Sequence, residues 1–426
     1  MKILGIHYFA PPSAVVASRR LSGIYRYLID QGVSVDIITV NNHGAVPKEV
    51  AYEIDANLRT VAGGGLRDLL LGPQNRQVDS TTKSRPLFQT LNRYRQAFPL
   101  LYLTDEGGPT YYKNALQLAR DIIPERGITH IFTSYRPWVD HRIGAALKAT
   151  FPRLHWIADF RDLPVDPIRK DVGLAKYQAM FGKEIITKAD ELWVVSEGQR
   201  AQLTDWHPNI RIVYNGLTNL PKPTTPAPSD RFVINYSGSL YPDLQRGQPL
   251  REVMDTGGKL ATSLVKKINL QYAGKDGSIW KSWFQPLEQS QPGIKVINRN
   301  IIPQIAAREA QRQAATNLLF SWSGQDYYGV LTAKLYDYLA AGRPITALVN
   351  GPDDPELRRI IEGSGSGRVF CHGQSAELVE WLETLLQDWQ QNDGWLPWAA
   401  NAEKLRPLLM REQLKDLPSS RNLPKP

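Results

Sequence analysis

The sequence predicts an α/β protein of two doubly wound domains, each with a mostly parallel sheet covered by helices on both faces. Two observations predict this architecture. Short apolar segments with strand character alternate with helical stretches along the chain, and the proline-rich segment 221–230 interrupts this alternation. A third observation excludes an alternative class, because no stretch approaches the ~20 apolar residues that a membrane-spanning helix requires.

The first half begins with residues 3–8, an apolar segment bounded by prolines that is typical of a buried parallel strand. A helix is predicted next, since Gly32 follows four apolar residues at helical spacing: Leu21, Ile24, Tyr25 and Leu28. Residues 33–40 form the second predicted strand, which completes a βαβ unit. Further strands are predicted at 129–133, 155–158, 191–195 and 211–214.

The second half repeats the pattern after the linker. Strands are predicted at 232–236, 268–272, 294–297, 316–320 and 344–348. We therefore expect an N-terminal domain over 1–216, a linker over 217–230 and a second domain over 231–390. Residues 391–426 are expected to supply a helix that returns to the first domain, and a tail. Ligands of such sheets bind at the carboxyl ends of the strands, so a ligand cleft between the two domains is expected.

Composition and charge limit the function classes. The 426 residues carry 51 Lys and Arg against 42 Asp and Glu, a net charge of +9 that indicates an anionic partner or, equally, simple solubility. Cys371 is the single cysteine, which excludes an intrachain disulfide and a cysteine-based metal site. The first residues are too short in their apolar part for a signal peptide. We expect a cytoplasmic protein.

Several catalytic motifs are absent from the sequence. Gly274 and Lys275 are followed by Asp276, so there is no P-loop, and neither a nucleophile elbow nor a dinucleotide-binding glycine motif occurs. The glycines at 363, 365 and 367 come after a predicted helix and favour a flexible turn. No Asp-x-Asp pair is found, and the seven histidines lack metal-ligand spacing. We therefore expect no metal and no resident cofactor.

The segment 329–344 carries the most specific pattern. Thr332 is placed to cap a helix whose buried stripe includes Leu335 and Leu339, and Gly342 ends it. Lys334 then lies in the first turn, where a cation opposes the helix dipole by ~0.3–1 kcal/mol. A phosphate bound by the lysine and the free amides would reverse this effect. Asp337, one turn on, is placed to accept ribose hydroxyls, but a solvated Lys334–Asp337 ion pair explains the spacing equally well.

At this point the chain resembles a known family. The segment 334–344 is similar to the donor-binding helix of the GT-B glycosyltransferases of family 4. Five further segments resemble the family in the same order: 11–20, 159–162, 189–196, 213–216 and 236–241. The resemblance implies two Rossmann-like domains facing a central cleft, and transfer of a sugar from a nucleotide diphosphate donor to a hydroxyl acceptor.

The resemblance also implies roles for individual residues. Donor binding is expected from Gly238, Ser239, Gly274, Arg299, Asp326, Gly329, Thr332, Lys334 and Asp337. Acceptor binding is expected from Ser13, Arg19 and Arg161. Catalytic roles are expected for His141 near the sugar, Asp162 near the acceptor hydroxyl, and Arg246 and Lys334 at the departing diphosphate. The alternatives are ordinary structural or surface positions for His141 and Arg246, and an Arg161–Asp162 pair.

The sequence also departs from the family pattern. Gly329 stands where many relatives have the first of two glutamates, so Gln325, Asp326 or the backbone near Gly329 is expected to contact the sugar. Ser13 begins the segment that replaces the double glycine of the first loop, and Ser239 lies near the position of a missing arginine. In this family a protein nucleophile is not a regular feature. Attack on the face from which the leaving group departs, with retention, is therefore the expected mechanism.

Residues 64–100 hold a basic stripe that includes Arg85, Arg93 and Arg95 beside apolar residues at helical spacing. This pattern fits docking on anionic lipid, although a helix packed on its own domain with a solvated basic face fits as well. Nucleic acid is not expected, since no binding module is recognisable. The expected location is thus the cytoplasm. If the basic stripe binds lipid, the protein is expected to lie peripherally on the inner face of the cytoplasmic membrane.

The expected activity is glycosyl transfer in bacterial surface polysaccharide or lipid-linked glycan synthesis. Two other functions stay open from the sequence. A sugar-nucleotide epimerase would keep the nucleotide site, and so would a non-catalytic sugar-nucleotide-binding protein, which the missing glutamate and loop glycines favour. The donor base, the sugar and the acceptor are not determined by the residues.

Overall fold

The computed structural model describes residues 1–11, 16–40, 54–63, 94, 97–101, 108–222, 227–255 and 267–417. The chain divides into two compact units. Unit 1 comprises Met1–Gly216 and Met410–Pro426, and unit 2 comprises Leu217–Leu409. The part of the chain that groups again with unit 1 thus starts at Met410, whereas the sequence placed the start of this return at 391.

Unit 1 is built on a seven-stranded parallel sheet with the order β3-β2-β1-β4-β5-β6-β7. Its strands are β1 (Lys2–Ile6), β2 (Ser34–Val40), β3 (Asn57–Val61), β4 (His130–Tyr135), β5 (His155–Phe160), β6 (Glu191–Val194) and β7 (Ile210–Ile212). β1, β4 and β5 are adjacent, so their carboxyl ends bring residues from distant parts of the sequence to one edge.

Helices connect the strands of unit 1: α1 (Val16–Asp30), α2 (Gly108–Arg126), α3 (Trp138–Thr150), α4 (Ala175–Ile186) and α5 (Glu197–Leu203). The apolar face predicted for the first helix is confirmed, because Leu21, Ile24 and Tyr25 have no solvent exposure. They pack with strand residues such as Ile37 and with Met410 from the end of the chain. This shared core explains why the terminal segment groups with unit 1.

Unit 2 holds a six-stranded parallel sheet with the order β10-β9-β8-β11-β12-β13. Its strands are β8 (Phe232–Ser237), β9 (Ile268–Ala273), β10 (Ile294–Asn298), β11 (Thr316–Trp322), β12 (Ile345–Asn350) and β13 (Gly367–Phe370). β11 is buried at all seven positions, as expected of a central parallel strand.

The helices of unit 2 are α6 (Gln248–Met254), α7 (Gly277–Ser290), α8 (Gln304–Gln313), α9 (Ala333–Ala341), α10 (Pro355–Ile361), α11 (Ser375–Gln391) and α12 (Ala402–Leu405). A short 3-10 turn, Arg406–Leu408, follows α12, and α13 (Met410–Leu414) belongs to unit 1. The core of unit 2 joins aromatic residues of the sheet, Tyr236 and Phe320, to Trp280 and Phe284 of α7.

The predicted fold class is confirmed, and every predicted strand overlaps an observed one. Two strands were not predicted. β3 has exposed positions and few apolar residues, and β13 starts at Gly367, where the sequence predicted a flexible turn. A Cβ at Gly367 would lie 2.0 Å from the carbonyl oxygen of Ile345 on the neighbouring strand. Glycine therefore permits the close approach of two backbones here. No helix in the described ranges is long and apolar enough to cross a membrane.

Candidate functional site

The first turn of α9 lies at the carboxyl edge of the unit 2 sheet, because α9 follows the loop after β11. The predicted helix is confirmed, and Gly342 ends it with a φ of +67°. Thr332 holds the N-cap position, but its hydroxyl makes no capping hydrogen bond. The first-turn amides of an α-helix lack acceptors in a preceding turn. In α9 the Leu335 amide donates to the Thr332 carbonyl at 3.1 Å, so the amides of Ala333 and Lys334 are the ones without an acceptor in the described structure.

The Lys334 side chain is half-buried and lies near two tyrosine rings. Its Nζ is 5.6 Å from the ring centroid of Tyr236 and 5.8 Å from that of Tyr241, distances at which a cation and a ring attract each other. Burial lowers the pKa of Lys334 from 10.5 to about 8, while the charges of Asp337 and Asp276 oppose this shift. The two carboxylates therefore compensate the buried ammonium group only in part, and a bound anion would add to this compensation.

The ion-pair alternative for Lys334 is not what the structure contains. Within the described residues no carboxylate lies within 4 Å of Lys334, although the Asp337 charge acts on it from further away. Lys334 thus combines its ammonium group with two amides of the same helix turn, its own and that of Ala333. This combination is suited to a phosphate or diphosphate group.

The loop after β8 surrounds the lysine and is fixed by hydrogen bonds. Gly238 has a φ of +123° and packs directly on the lysine side chain. The Tyr236 hydroxyl donates to the carbonyl of Ser239 at 2.7 Å, and the amide of Leu240 donates to Asp276 at 2.9 Å. The half-buried Ser239 therefore belongs to a preorganised loop.

Arg246 lies further along the same loop and is exposed. The preceding residue, Gln245, is buried and fixes the loop, since its side chain accepts from the Tyr241 amide at 2.9 Å and donates to the Phe320 carbonyl at 3.3 Å. Arg246 therefore follows a residue that is fixed by hydrogen bonds, and its own side chain is accessible to solvent.

Gly274 and Arg299 lie at the carboxyl ends of β9 and β10. The Gly274 amide donates to the carbonyl of Asn300 at 2.9 Å, and the Arg299 amide donates to that of Tyr272 at 2.8 Å. A Cβ at Gly274 would lie 2.5 Å from the carbonyl oxygen of Gly238. Glycine at 274 therefore allows the lysine-bearing loop to approach β9, while the Arg299 side chain remains exposed.

The loop before α9 is held by the carboxylate of Asp354, which has no solvent exposure. Asp354 accepts from the amides of Gly329 and Leu357, both at 2.9 Å, and from that of Val330. Burial raises the pKa of Asp354, and these hydrogen bonds oppose the rise. Gly329 is thus buried with a φ of +72°, whereas Asp326 is exposed in the preceding turn.

Unit 1 carries a chain of polar contacts at the carboxyl ends of β4 and β5. Asp159 is fully buried and pairs with Arg20, with 2.7 Å between Oδ1 and Nη2. Ser134 donates to Asp159 at 2.7 Å and accepts from Nε of Arg161 at 3.0 Å. Burial alone would raise the pKa of Asp159, but the charge and hydrogen bonds of Arg20, together with Ser134 and Arg161, lower it. The half-buried Arg161 forms the outer end of this chain.

His141 lies in the interior of unit 1 and has no solvent exposure. Its Nδ1 is 2.7 Å from the Thr133 hydroxyl, and its Nε2 is buried without a hydrogen-bond partner in the described structure. Phe160 and Trp138 pack against the ring. Burial lowers the pKa of His141 to about 3. The histidine is therefore neutral at physiological pH, and aromatic side chains rather than solvent contact it.

The other predicted positions of unit 1 differ in exposure. Asp162 follows β5 and is 3.8 Å from Arg169, not paired with Arg161. Arg19 is half-buried and has contacts within the protein. Ser13 lies outside the described residues, and so does most of the predicted basic stripe at 64–100, including Arg85, Arg93 and Arg95.

Some residues of the site did not stand out in the sequence. Tyr236 and Tyr241 were visible only as part of a motif, and Asp276 only as the residue that rules out a P-loop. Asp354 had a usable signal, because an aspartate directly before a proline is typical of a helix N-cap. Its bonds to the loop at Gly329 depend on tertiary structure. The described residues contain no group of three or more His, Cys, Asp or Glu side chains suited to hold a metal ion.

We compared the sequence and the structure of the chain with those of known proteins. Neither a protein-family model nor a curated protein matches the sequence. Among solved structures, sucrose-phosphate synthase from Thermosynechococcus elongatus is similar, with a TM-score of 0.58, 14% identity and 97% of each chain covered. An α,α-trehalose-phosphate synthase (UDP-forming) from Burkholderia vietnamiensis gives a TM-score of 0.52 with 11% identity, again over 97% of each chain.

WaaG, a glycosyltransferase involved in lipopolysaccharide biosynthesis, is also similar, with a TM-score of 0.51 and 13% identity over 98% of this chain and 96% of that one. At such identities the likeness concerns the fold. The chain has the two-domain GT-B fold, which was the predicted fold class.

Proposed function

We propose that the protein is a glycosyltransferase of the family 4 type that moves a sugar from a nucleotide diphosphate donor to a hydroxyl acceptor. The observation that carries the proposal is the state of Lys334. It is a partly desolvated lysine in the first turn of α9, next to free helix amides and without a carboxylate within 4 Å in the described structure. The GT-B fold supports the same conclusion.

The donor diphosphate is proposed to bind Lys334 and the first-turn amides of α9. The loops at Gly238, Ser239 and Gly274 would form the wall against which the phosphates lie. Asp337 lies one helical turn from the lysine, where its carboxylate would accept hydrogen bonds from the ribose hydroxyls. Arg299 is exposed at the ends of the neighbouring strands and is assigned to the nucleotide as well.

The leaving group of the reaction is a nucleoside diphosphate, whose negative charge grows as the bond to the sugar breaks. Lys334, Arg246 and the positive end of α9 are proposed to stabilise this charge. We propose that the chemistry is metal-independent and retains the configuration at the sugar. The donor phosphate would then help to take the proton from the acceptor hydroxyl.

The sugar is proposed to lie near the loop from Asp326 to Thr332. Gly329 occupies the position of the family's first glutamate, and its buried backbone is fixed by Asp354. Backbone groups of this loop and the exposed Asp326 would therefore contact the sugar hydroxyls. Thr332, at the N-cap, would contribute its hydroxyl, which has no capping bond.

The acceptor is assigned to unit 1, at the edge where Arg161 and Asp162 lie. The carboxylate of Asp162 is about half exposed and would orient the acceptor hydroxyl, and Ser13 and Arg19 are assigned to the acceptor from the family pattern. Because His141 is enclosed by aromatic rings, we propose a structural role for it: its ring packs against Phe160 at the carboxyl end of β5, next to Arg161 and Asp162. A lipid-linked or surface-glycan acceptor, used by a cytoplasmic protein at the inner membrane face, is part of the proposal.

A thermal-shift panel of UDP, GDP, ADP and TDP without added metal tests the nucleotide site. The diphosphate of the true donor is expected to raise the melting temperature, since a ligand at 100 times its Kd stabilises the folded state by about 2.7 kcal/mol. The matching sugar nucleotide is then incubated with the protein, and release of nucleoside diphosphate is measured. Absence of any shift across the panel would contradict the proposal.

Product analysis separates transfer from the two alternatives. Conversion of the sugar nucleotide to an isomer without any acceptor would identify an epimerase. Nucleotide binding without consumption of any donor would identify a non-catalytic binding protein. Transfer requires that nucleoside diphosphate appears in step with a glycosylated acceptor.

A further inference from the structure

Helix α4 of unit 1 presents an apolar surface to solvent. The described part of the chain has ten large apolar side chains that are exposed, and four of them lie on α4 or at its N-cap. These four, which we call the α4 surface, are Leu174 (45% exposed), Tyr177 (55%), Met180 (55%) and Phe181 (36%). Single exposed apolar residues are ordinary, but a cluster on one helix indicates an interaction surface.

The opposite face of α4 fixes the helix in unit 1. Gln178, Gly182 and Ile186 are buried there. A Cβ at Gly182 would lie 2.7 Å from the indole of Trp138, so glycine allows the helix to pack closely on α3. Phe181 contacts Phe98, with 5.5 Å between the ring centroids. The exposed side chains are therefore held on a rigid element instead of a loose one.

Lysines accompany the apolar residues. Lys176, Lys183 and Lys188 are exposed on α4 or just after it, and Glu184 is the exposed acid on this stretch. The segment thus carries three positive charges against one negative charge. An apolar stripe that includes Tyr and Phe and is accompanied by lysines matches the interface of a bilayer with anionic headgroups.

We propose that the α4 surface docks unit 1 on an anionic lipid membrane. A second copy of the chain fits less well, because two copies that met through this segment would bring two positively charged surfaces together, which repel each other. Four side chains also supply much less area than the ~800 Å² per partner of a stable interface. In an anionic lipid membrane, the headgroups would neutralise the lysines, and the apolar side chains would insert into the interfacial region of the bilayer.

The position of α4 connects this surface with the acceptor. The loop that leads into α4 starts at Arg161 and Asp162, at the carboxyl edge of the unit 1 sheet. Docking would therefore hold that edge near the membrane surface, where a lipid-linked hydroxyl is presented. This last step rests on the proposed function, whereas the docking itself does not.

Sedimentation with sucrose-loaded vesicles tests the docking. The full-length protein is expected to bind vesicles of phosphatidylcholine with one quarter phosphatidylglycerol, and to bind pure phosphatidylcholine weakly. The variant Tyr177→Ser/Met180→Ser should weaken binding about tenfold or more. Ile301→Ser/Ile305→Ser is the matched control and should bind like the wild type, because these residues are exposed apolar side chains of unit 2.

A charge-reversal pair tests the lysines separately. Lys176→Glu/Lys183→Glu should lower vesicle affinity about thirtyfold or more. Lys281→Glu/Lys295→Glu makes the same change in net charge at exposed positions of unit 2. This control pair should lower the vesicle affinity much less. If both charge-reversal variants lost the same amount of vesicle affinity, the attraction to the membrane would depend on net charge alone, and the assignment to α4 would be overturned. Failure of the wild type to bind, or a dimer that dissociates on Tyr177→Ser/Met180→Ser, would also overturn it.

Nucleotide binding distinguishes failure of this inference from failure of the proposed function. The α4 variants should retain the thermal shift with the nucleoside diphosphate, and Lys334→Ala should retain vesicle binding. Because the proposed nucleotide site lies in unit 2, the melting temperature without nucleotide checks the fold of the α4 variants. Variants that melt like the wild type and still bind vesicles equally well would overturn docking by α4.

Discussion

Gly238 and Lys334 lie in direct contact: a Cβ built on the glycine would be 2.5 Å from Cε of the lysine. The glycine has a φ of +123°, which disfavours other residues. The loop after β8 and the first turn of α9 are thereby brought together at the carboxyl edge of the sheet. Here the ammonium group of Lys334 lies within 6 Å of the ring centroids of Tyr236 and Tyr241, and it is partly removed from water.

Replacing Lys334 by Ala is expected to weaken nucleoside diphosphate binding by about 10- to 100-fold, since a charged hydrogen bond contributes ~1.5–3 kcal/mol. Turnover should fall more than binding if the lysine also stabilises the leaving group. Calorimetric titration and donor consumption measure the two effects. Lys281→Ala, at an exposed position of α7, is the control. Unchanged binding and turnover in Lys334→Ala would remove α9 from the mechanism.

Diphosphate binding should weaken as pH rises above about 8. The free protein has a Lys334 pKa of about 8, and the anion binds the protonated form. Above that pH, binding takes up a proton, and affinity should fall about tenfold per pH unit. Titrations between pH 7 and 10 measure this. Lys334→Arg should flatten the profile, because arginine stays charged, and an identical slope in that variant would refute the assignment.

Gly238→Ala is expected to lower both stability and diphosphate affinity. The added methyl group must displace the Lys334 side chain. The alanine must also adopt a positive φ in a sparsely populated region, which costs ~1–3 kcal/mol. Gly365→Ala is the matched control, since Gly365 has a φ of +64° and no atom within 4 Å of an added Cβ. Thermal unfolding with and without the diphosphate separates the two effects. A loss of affinity in both variants would argue against a specific role for the contact.

Asp354→Ala should destabilise unit 2 by about 1–3 kcal/mol, because buried amides of the loop at Gly329 lose their acceptor and α10 loses its cap. Donor affinity should also fall if that loop contacts the sugar. Denaturant unfolding measures the first effect and sugar-nucleotide titration the second. The neighbouring Asp353→Ala removes an exposed pair with Arg358 and should have little effect.

His141 should remain neutral through the physiological range. Burial lowers its pKa to about 3, so its ring resonances in a histidine-labelled NMR sample should not shift between pH 5 and 8. The variant His141→Gln identifies the resonance. A titration midpoint inside that range would show that the ring reaches solvent. It would also revive direct contact between His141 and a substrate.

Much of the fold follows from local patterns. The apolar strands of both sheets and the extent of α9 were predictable because each depends on residues a few positions apart. Both strands that escaped prediction lie at sheet edges. β3 has mostly exposed positions, which weakens its apolar signal, and β13 is a strand of four residues that begins at Gly367, a residue type that favours turns. The end of α9 at Gly342 was also predictable from a local signal, since the residue that ends a helix often has a positive φ and is then usually glycine.

The sequence by itself determined that Lys334 stands in the first turn of a helix, and that two parallel-sheet domains follow each other along the chain. Only the tertiary structure decided that Gly238 and two tyrosines lie next to the lysine, and that Asp354 fixes the loop at Gly329. It also decided that His141 is buried among aromatic rings and that α4 exposes apolar side chains to solvent. The reason is physical. Helix and strand patterns arise between near neighbours in sequence, whereas burial, and with it pKa and exposed apolar surface, depends on which distant segments pack together.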